Sequence, residues 1–215
     1  MKKQIIILTK SRKHTAKCVV GIDVINNELI RLVTEDESIH YSLTDEHLTY
    51  EDNSVVEIFD LVEVEFIKAK PNVHQPENWL IDTNKKFKRL ASNIYNREII
   101  LSAIKQNLTN DEYIYYNTAS YLTKNEFDTI KKSIILAIVE DVEFTFPYFN
   151  SIKVSFNYNN KYYDKLSFTN DDRYYQYESY KKALAIITLP DGEDKFCKEN
   201  GKYYKFVANL FPIIK

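Results

Sequence analysis

Between residues 5 and 33 the chain commits itself to β-structure. Ile5-Ile6-Ile7-Leu8 is a continuous apolar run, the pattern of a strand covered on both faces. A short basic loop, Lys10-Ser11-Arg12-Lys13-His14, follows it. Two further strands, 17–24 and 29–33, flank Asn26-Asn27, and because asparagine tolerates positive φ the pair predicts a hairpin turn. Cys18, Val20 and Ile22 share one face of the first arm. Gly21 interrupts it, which predicts a bulge or tight bend where the strand of a small barrel curls. Arg31 shares a face with Leu29 and Val33, opposite Ile30 and Leu32.

The same period of two returns later. Val62, Val64 and Phe66 alternate with Glu63 and Glu65, one buried face against one solvated face. Val142, Phe144 and Phe146 alternate with Glu143 and Thr145, and Pro147 is expected to end that run. Ile152, Val154, Phe156 and Tyr158 alternate in turn, and a second pair, Asn159-Asn160, supplies the hairpin into 162–168. Further strands are expected at 184–189 and 203–211. Only the middle changes period. Phe87, Leu90, Ala91 and Ile94 have helical spacing from about Asn84, continued by Ile100, Ala103 and Ile104. Thr123 with Glu126 makes a capping box, with Leu122 and Phe127 at the staple positions around it. The expected fold is therefore mainly β with a helical connector: a barrel over 1–82, the connector over 83–132, and a second barrel over 133–215. Both halves share a sketch of apolar strand, Asn-Asn hairpin, basic residue in the returning strand (Arg31, Lys165) and threonine-acidic exit, a hint of duplication.

The net charge of −2 excludes a global field for phosphates, so any nucleic-acid site must be a local patch. No apolar run is long enough to span a membrane, and Met1-Lys2-Lys3-Gln4 with four apolar residues is too short for a signal peptide. Cys18 and Cys197 suit buried thiols in a reducing cytoplasm. Seventeen tyrosines make the chain aromatic-rich, an excess that an AT-rich coding sequence would also produce.

Several stretches resemble the bacterial dual OB domain proteins, in which two OB-fold barrels are joined in one chain. They are Thr9-Lys10-Ser11-Arg12-Lys13-His14, Cys18-Val19-Val20-Gly21-Ile22-Asp23, Leu29-Ile30-Arg31-Leu32-Val33 and Phe59-Asp60-Leu61-Val62-Glu63-Val64. Gln75-Pro76-Glu77-Asn78, Leu166-Ser167-Phe168-Thr169-Asn170-Asp171 and Tyr204-Lys205-Phe206-Val207-Ala208 also fit. Thr15-Ala16 departs from the pattern, since glycines more often follow the basic loop in that family. The resemblance implies two OB-like β-barrels and a nucleic-acid-binding module beside prokaryotic defence or mobile-element genes, with no established catalytic residues.

Three basic clusters are candidate contacts. Lys10, Arg12, Lys13, His14 and Lys17, with Arg31 on the adjacent strand, suit the phosphate groove with which OB barrels hold single strands; a solvated loop has the same composition. Tyr163 and Lys165, taken to share a strand face, and Arg173-Tyr174-Tyr175-Gln176-Tyr177 with Lys181-Lys182 interleave cations and aromatics on the second barrel, where tyrosines packed at the barrel edge would look the same. Lys85, Lys86, Lys88 and Arg89 open the expected central helix, against its dipole, and either a phosphate or nearby acids would compensate them. Nothing suggests a cofactor, a metal or catalysis. His14, His40, His47 and His74 lack ligand spacing, and there is no P-loop, dinucleotide fingerprint or nucleophile elbow. The expected partner is nucleic acid, single strands first. The alternative is a protein docking on barrel edges and the aromatic 173–180 segment, and a metal-dependent nuclease stands third.

Overall fold

The computed structural model describes residues 1–92, 98–148, 151–170, 178–193 and 195–214. The chain divides into two compact units: Met1–Pro71 with Glu77–Asn107, and Asn72–Pro76 with Leu108–Lys215. The connector expected over 83–132 is thus shared out between them.

The first unit contains β1 (Lys2–Lys13), β2 (Ala16–Asp23), β3 (Glu28–Val33), a 3-10 turn (Glu37–Ile39), β4 (Leu61–Ala69), β5 (Asn78–Ile81), β6 (Lys88–Ala91) and α1 (Glu98–Asn107). Its strands run in the order β1-β2-β3-β5-β4, and pairing of β1 with β4 closes the ring. β3 and β5 run parallel, and the other strand pairs of this ring run antiparallel. The interior is built from alternate positions, among them Ile5, Ile7, Val19, Ile30, Leu32, Val62, Val64 and Phe66. β1 shifts register between Ile7 and Thr9, a bulge opposite Gly21. A Cβ on Gly21 would lie 2.4 Å from Ile5 Cγ2 and 2.6 Å from Ile6 O, so only glycine lets the two strands approach there.

The second unit contains β7 (Tyr121–Thr123), α2 (Lys124–Phe127), β8 (Ile134–Tyr148), β9 (Ser151–Tyr158), β10 (Lys161–Phe168), β11 (Tyr180–Thr188), α3 (Lys195–Asn200), β12 (Lys202–Tyr204) and β13 (Phe206–Ile214). A closed barrel runs β8-β9-β10-β13-β11, again with one parallel pair, β10 with β13. In strand order this is the ring of the first unit. Each Asn-Asn pair joins the second strand of its ring to the third. Asn159 and Asn160 both take positive φ (49° and 58°), as a tight two-residue hairpin requires, and Asn27 does so at 55°. The capping box forms as expected: Thr123 Oγ1 accepts from Glu126 N, Glu126 accepts from Thr123 N, and Leu122 and Phe127 are buried. The segment 72–76 belongs to this unit. Gln75 Nε2 donates to Leu189 O at 3.2 Å, and the His74 ring stacks on Phe127 at 4.2 Å.

Three expectations are overturned. The helix from Asn84 is replaced by β6, which pairs with β4 (Val62 with Arg89, Glu63 with Lys88), while Phe87 enters the first core. Edge pairing and burial of Phe87 outweigh a chance helical spacing. Pro147 lies inside β8 instead of ending it, and the last expected strand is split at Lys205 into β12 and β13.

Trp79 is the chain's one tryptophan and lies in the first unit. Gly21→Ala should therefore shift the Trp79 fluorescence transition in denaturant by about 1–3 kcal/mol toward instability, the usual cost of overpacking. An unmoved midpoint would show that β1 and β2 do not approach as described.

Candidate functional site

The basic stretch is strand, with a much shorter loop than expected. The β1–β2 ladder continues through Arg12 with Lys17 to Lys13 with Ala16, leaving His14 and Thr15 as the turn. Arg12 and Lys17 are thus direct cross-strand neighbours, a like-charge pairing that destabilises a ladder unless counter-charge is supplied. The connection between β3 and β4 supplies it. Lys17 Nζ lies 3.8 Å from Asp45 Oδ1, and Lys10 Nζ lies 3.0 Å from Glu57 Oε2.

The turn meets the same connection. Lys13 Nζ donates to His40 O at 3.0 Å, and the rings of His14 and His40 stack with centroids 4.4 Å apart. His14, His40 and Tyr41 all sit in the left-handed region (φ 53°, 53° and 60°). Such positions cost about 1–2 kcal/mol each for a residue with a Cβ. Backbone bonds fix two of them: His40 N donates to Glu37 O at 3.0 Å and Tyr41 N to Asp36 O at 2.9 Å. Lys70, just past β4, places Nζ 4.6 Å over the Tyr41 ring, and Tyr41 Oη donates to Glu37 Oε1. One end of the first barrel thus gathers Lys13 and Lys70 with the rings of His14, His40 and Tyr41, and the exposed Arg12 precedes Lys13 on the same strand end. Sequence reasoning missed His40, Tyr41 and Lys70, because no periodicity links them to the β1–β2 turn.

Other candidates are placed elsewhere. Arg31 does sit on the outward side of β3, yet it is only 4% exposed, and its Nε and Nη2 have no hydrogen-bond partner among the described residues. Its outward neighbours Val20, Ile22 and Val33 are buried too, so this barrel face is not open. Tyr163 is a correction. It is fully buried in the second core, its Oη accepts from Ile114 N at 2.9 Å, and burial pushes its hydroxyl up to about 12. A bulge between Tyr163 and Leu166 turns both inward and leaves Lys165 exposed with φ 52°, so Tyr163 and Lys165 share no face. Arg173, Tyr174 and Tyr175 lie outside the described residues. Lys182 pairs with Glu140 at 3.1 Å.

The third cluster is held within the first unit. Lys86 Nζ donates to Glu46 O at 3.1 Å, Arg89 Nη2 donates to Ser54 Oγ at 2.8 Å, and the Arg89 guanidinium lies 4.0 Å over the Tyr50 ring. With β6 in place of a helix, no dipole opposes these cations. On the second barrel the outer side of β9 and β10 carries carboxylates among its hydroxyls and amides. Ser155 Oγ donates to Asp164 Oδ1 at 3.1 Å and Asn157 Nδ2 to Asp141 Oδ2 at 3.0 Å. Lys153 and the exposed Lys165 stand on the same strands, so that side is of mixed charge. Among the described residues no group of three or more His, Cys, Asp or Glu could hold a metal ion.

Lys205, between β12 and β13, is a buried lysine that neither spacing nor charge along the chain marks as buried. Its Nζ donates to Asn117 O (2.6 Å) and Oδ1 (3.0 Å), and Asn117 passes a bond to Glu126 Oε1 at 2.8 Å. Desolvation lowers its pKa to about 7, with Glu126 opposing the shift. Unfolding therefore takes up a proton between about pH 7 and the ordinary lysine value near 10.

Two predictions follow from these buried cations. Stability of the second unit should rise with pH from about 7 to 9, by on the order of 1 kcal/mol per pH unit. Lys205→Met should remove that slope in denaturation followed by circular dichroism. Arg31→Met, which puts apolar volume in place of a buried guanidinium whose Nε and Nη2 make no hydrogen bond among the described residues, should raise the Trp79 midpoint by about 1–4 kcal/mol; a loss would show that the guanidinium has a partner.

No curated protein matches the chain. A profile of the dual OB-containing domain matches residues 3–210, nearly its whole length and both rings. The chain belongs to the dual OB-containing domain family.

Proposed function

We infer that the protein is a non-catalytic binder of nucleic acid, and that single strands engage the β1–β2 end of its first barrel. What supports this reading is one cluster, Lys13 and Lys70 against His40 and Tyr41 with His14 stacked on His40, beside the exposed Arg12 at the same end of β1. OB barrels use the loops between their first and second strands and between their fourth and fifth as walls for oligonucleotides. The His14–Thr15 turn and Lys70 occupy those two connections here. Because the outward side of β2 and β3 is buried, the ligand is confined to the barrel end. Cations there take phosphates, and the histidine and tyrosine rings offer π-faces to unpaired bases.

The two contributions separate by salt. Three phosphate contacts give single-strand binding a slope of log K against log salt of about −2. Arg12→Ala with Lys13→Ala should make the slope shallower by about 1.4, with a loss of at least about tenfold in affinity at low salt. His40→Ala should cost about 1–3 kcal/mol while leaving the slope unchanged. Anisotropy titration of a labelled oligothymidylate measures both. Salt-independent binding, or a double variant that binds like the parent, would remove this site. Stoichiometric recovery of a protein partner that survives nuclease treatment would favour a protein-docking role instead.

A further inference from the structure

The basic residues of β1 and β2 are not presented bare. Lys10, Lys13 and Lys17 all reach into the single connection between β3 and β4. Lys10 Nζ contacts Glu57 Oε2 at 3.0 Å and also donates to Val56 O. Lys13 Nζ donates to His40 O. Lys17 Nζ faces Asp45 Oδ1 at 3.8 Å, while the Lys17 and Leu43 backbones exchange bonds of 2.8 and 3.0 Å. The composition of this connection is one-sided: from Thr34 to Asp60 carboxylates recur and no Lys or Arg occurs. The side chains of Glu57 and Asp45 are 66% and 83% exposed. They are far more exposed than the side chains of Lys10 and Lys17 that they face, each 20% exposed.

We propose that the β3–β4 connection is a built-in competitor for the nucleic acid: Asp45 and Glu57 hold the lysine ammonium groups that phosphates must take over. This rests on the nucleic-acid reading of the same barrel end. Exposed ion pairs of this kind are weak. A polyanion that presents several phosphates at once displaces them, whereas an isolated anion gains little over the resident carboxylate. The device thus selects strands over monoanions. It also masks salt dependence, because a lysine already neutralised by a carboxylate releases no counterion when a phosphate replaces that carboxylate.

The test uses the full chain and a labelled oligothymidylate, comparing the parent with Asp45→Asn/Glu57→Gln. A second double variant, Glu193→Gln/Glu199→Gln, makes the same change in net charge on exposed residues of the second unit. Tightening by about 3- to 10-fold is expected for the first pair, the range two exposed ion pairs supply. Its salt slope should steepen by about 0.7 for each lysine released. The second pair should leave both quantities as in the parent. If the parent binds and Asp45→Asn/Glu57→Gln changes neither affinity nor slope, the competitor is overturned and the binding site stands. Equal tightening by both pairs would assign the effect to net charge and overturn it as well. If the parent and both variants fail to bind at low salt, the nucleic-acid reading itself falls and takes this inference with it.

Discussion

The first barrel depends on β1 having neighbours in every direction. Ile5 pairs with Asp23 of β2 on one edge and with Val62 of β4 on the other, and Ile5, Ile6, Ile7 and Leu8 are all fully buried. A strand hydrogen-bonded on both edges and covered on both faces has no wet side, which is why four consecutive apolar residues appear there without alternation. Closure then demands strong coiling, and the bulge after Ile7 and the bare backbone at Gly21 provide it. Beyond the bulge the same strand leaves the core and carries Lys10, Arg12 and Lys13 to the barrel end. The candidate site is thus the overhang of the strand that closes the ring.

What the sequence made legible was local. Alternation at Val62, Val64 and Phe66, positive φ at the two Asn-Asn turns and the reciprocal bonds of Thr123 and Glu126 each involve residues a few positions apart. The failures share the opposite character. Phe87, Leu90 and Ala91 match a helix by spacing, but β4 offers the 88–91 backbone an edge to pair with, and that partner lies some twenty-five positions upstream. Tyr163 and Lys165 differ by two positions and should share a face, yet one bulge cancels the period between them. His40 meets His14 only because a capped 3-10 turn and two left-handed residues fold the connection back, which no periodicity encodes.

Charge follows a similar division. Two buried lysines are held by contacts that composition cannot show. Lys3 pairs with Asp23 while lying 4.1 Å over the Trp79 ring, and Lys205 rests on Asn117. A near-neutral total conceals an uneven arrangement: a basic strand pair and an acidic connection in one unit, and carboxylates beside hydroxyls on the outer strands of the other. Counting charges along the chain finds the basic residues but not the partners that already hold them.

The short segment 72–76 has a meaning for how such a chain can be taken apart. The polypeptide leaves the first unit after Pro71, places Gln75 against Leu189 and His74 against Phe127, and returns at Glu77 before leaving again after Asn107. No single cut yields two intact modules, because a fragment ending at residue 107 would carry away five residues whose contacts remain behind. Separating the barrels without loss therefore takes cuts on both sides of 72–76 as well as after 107, since Leu189 and Phe127 otherwise lose the contacts that Gln75 and His74 supply.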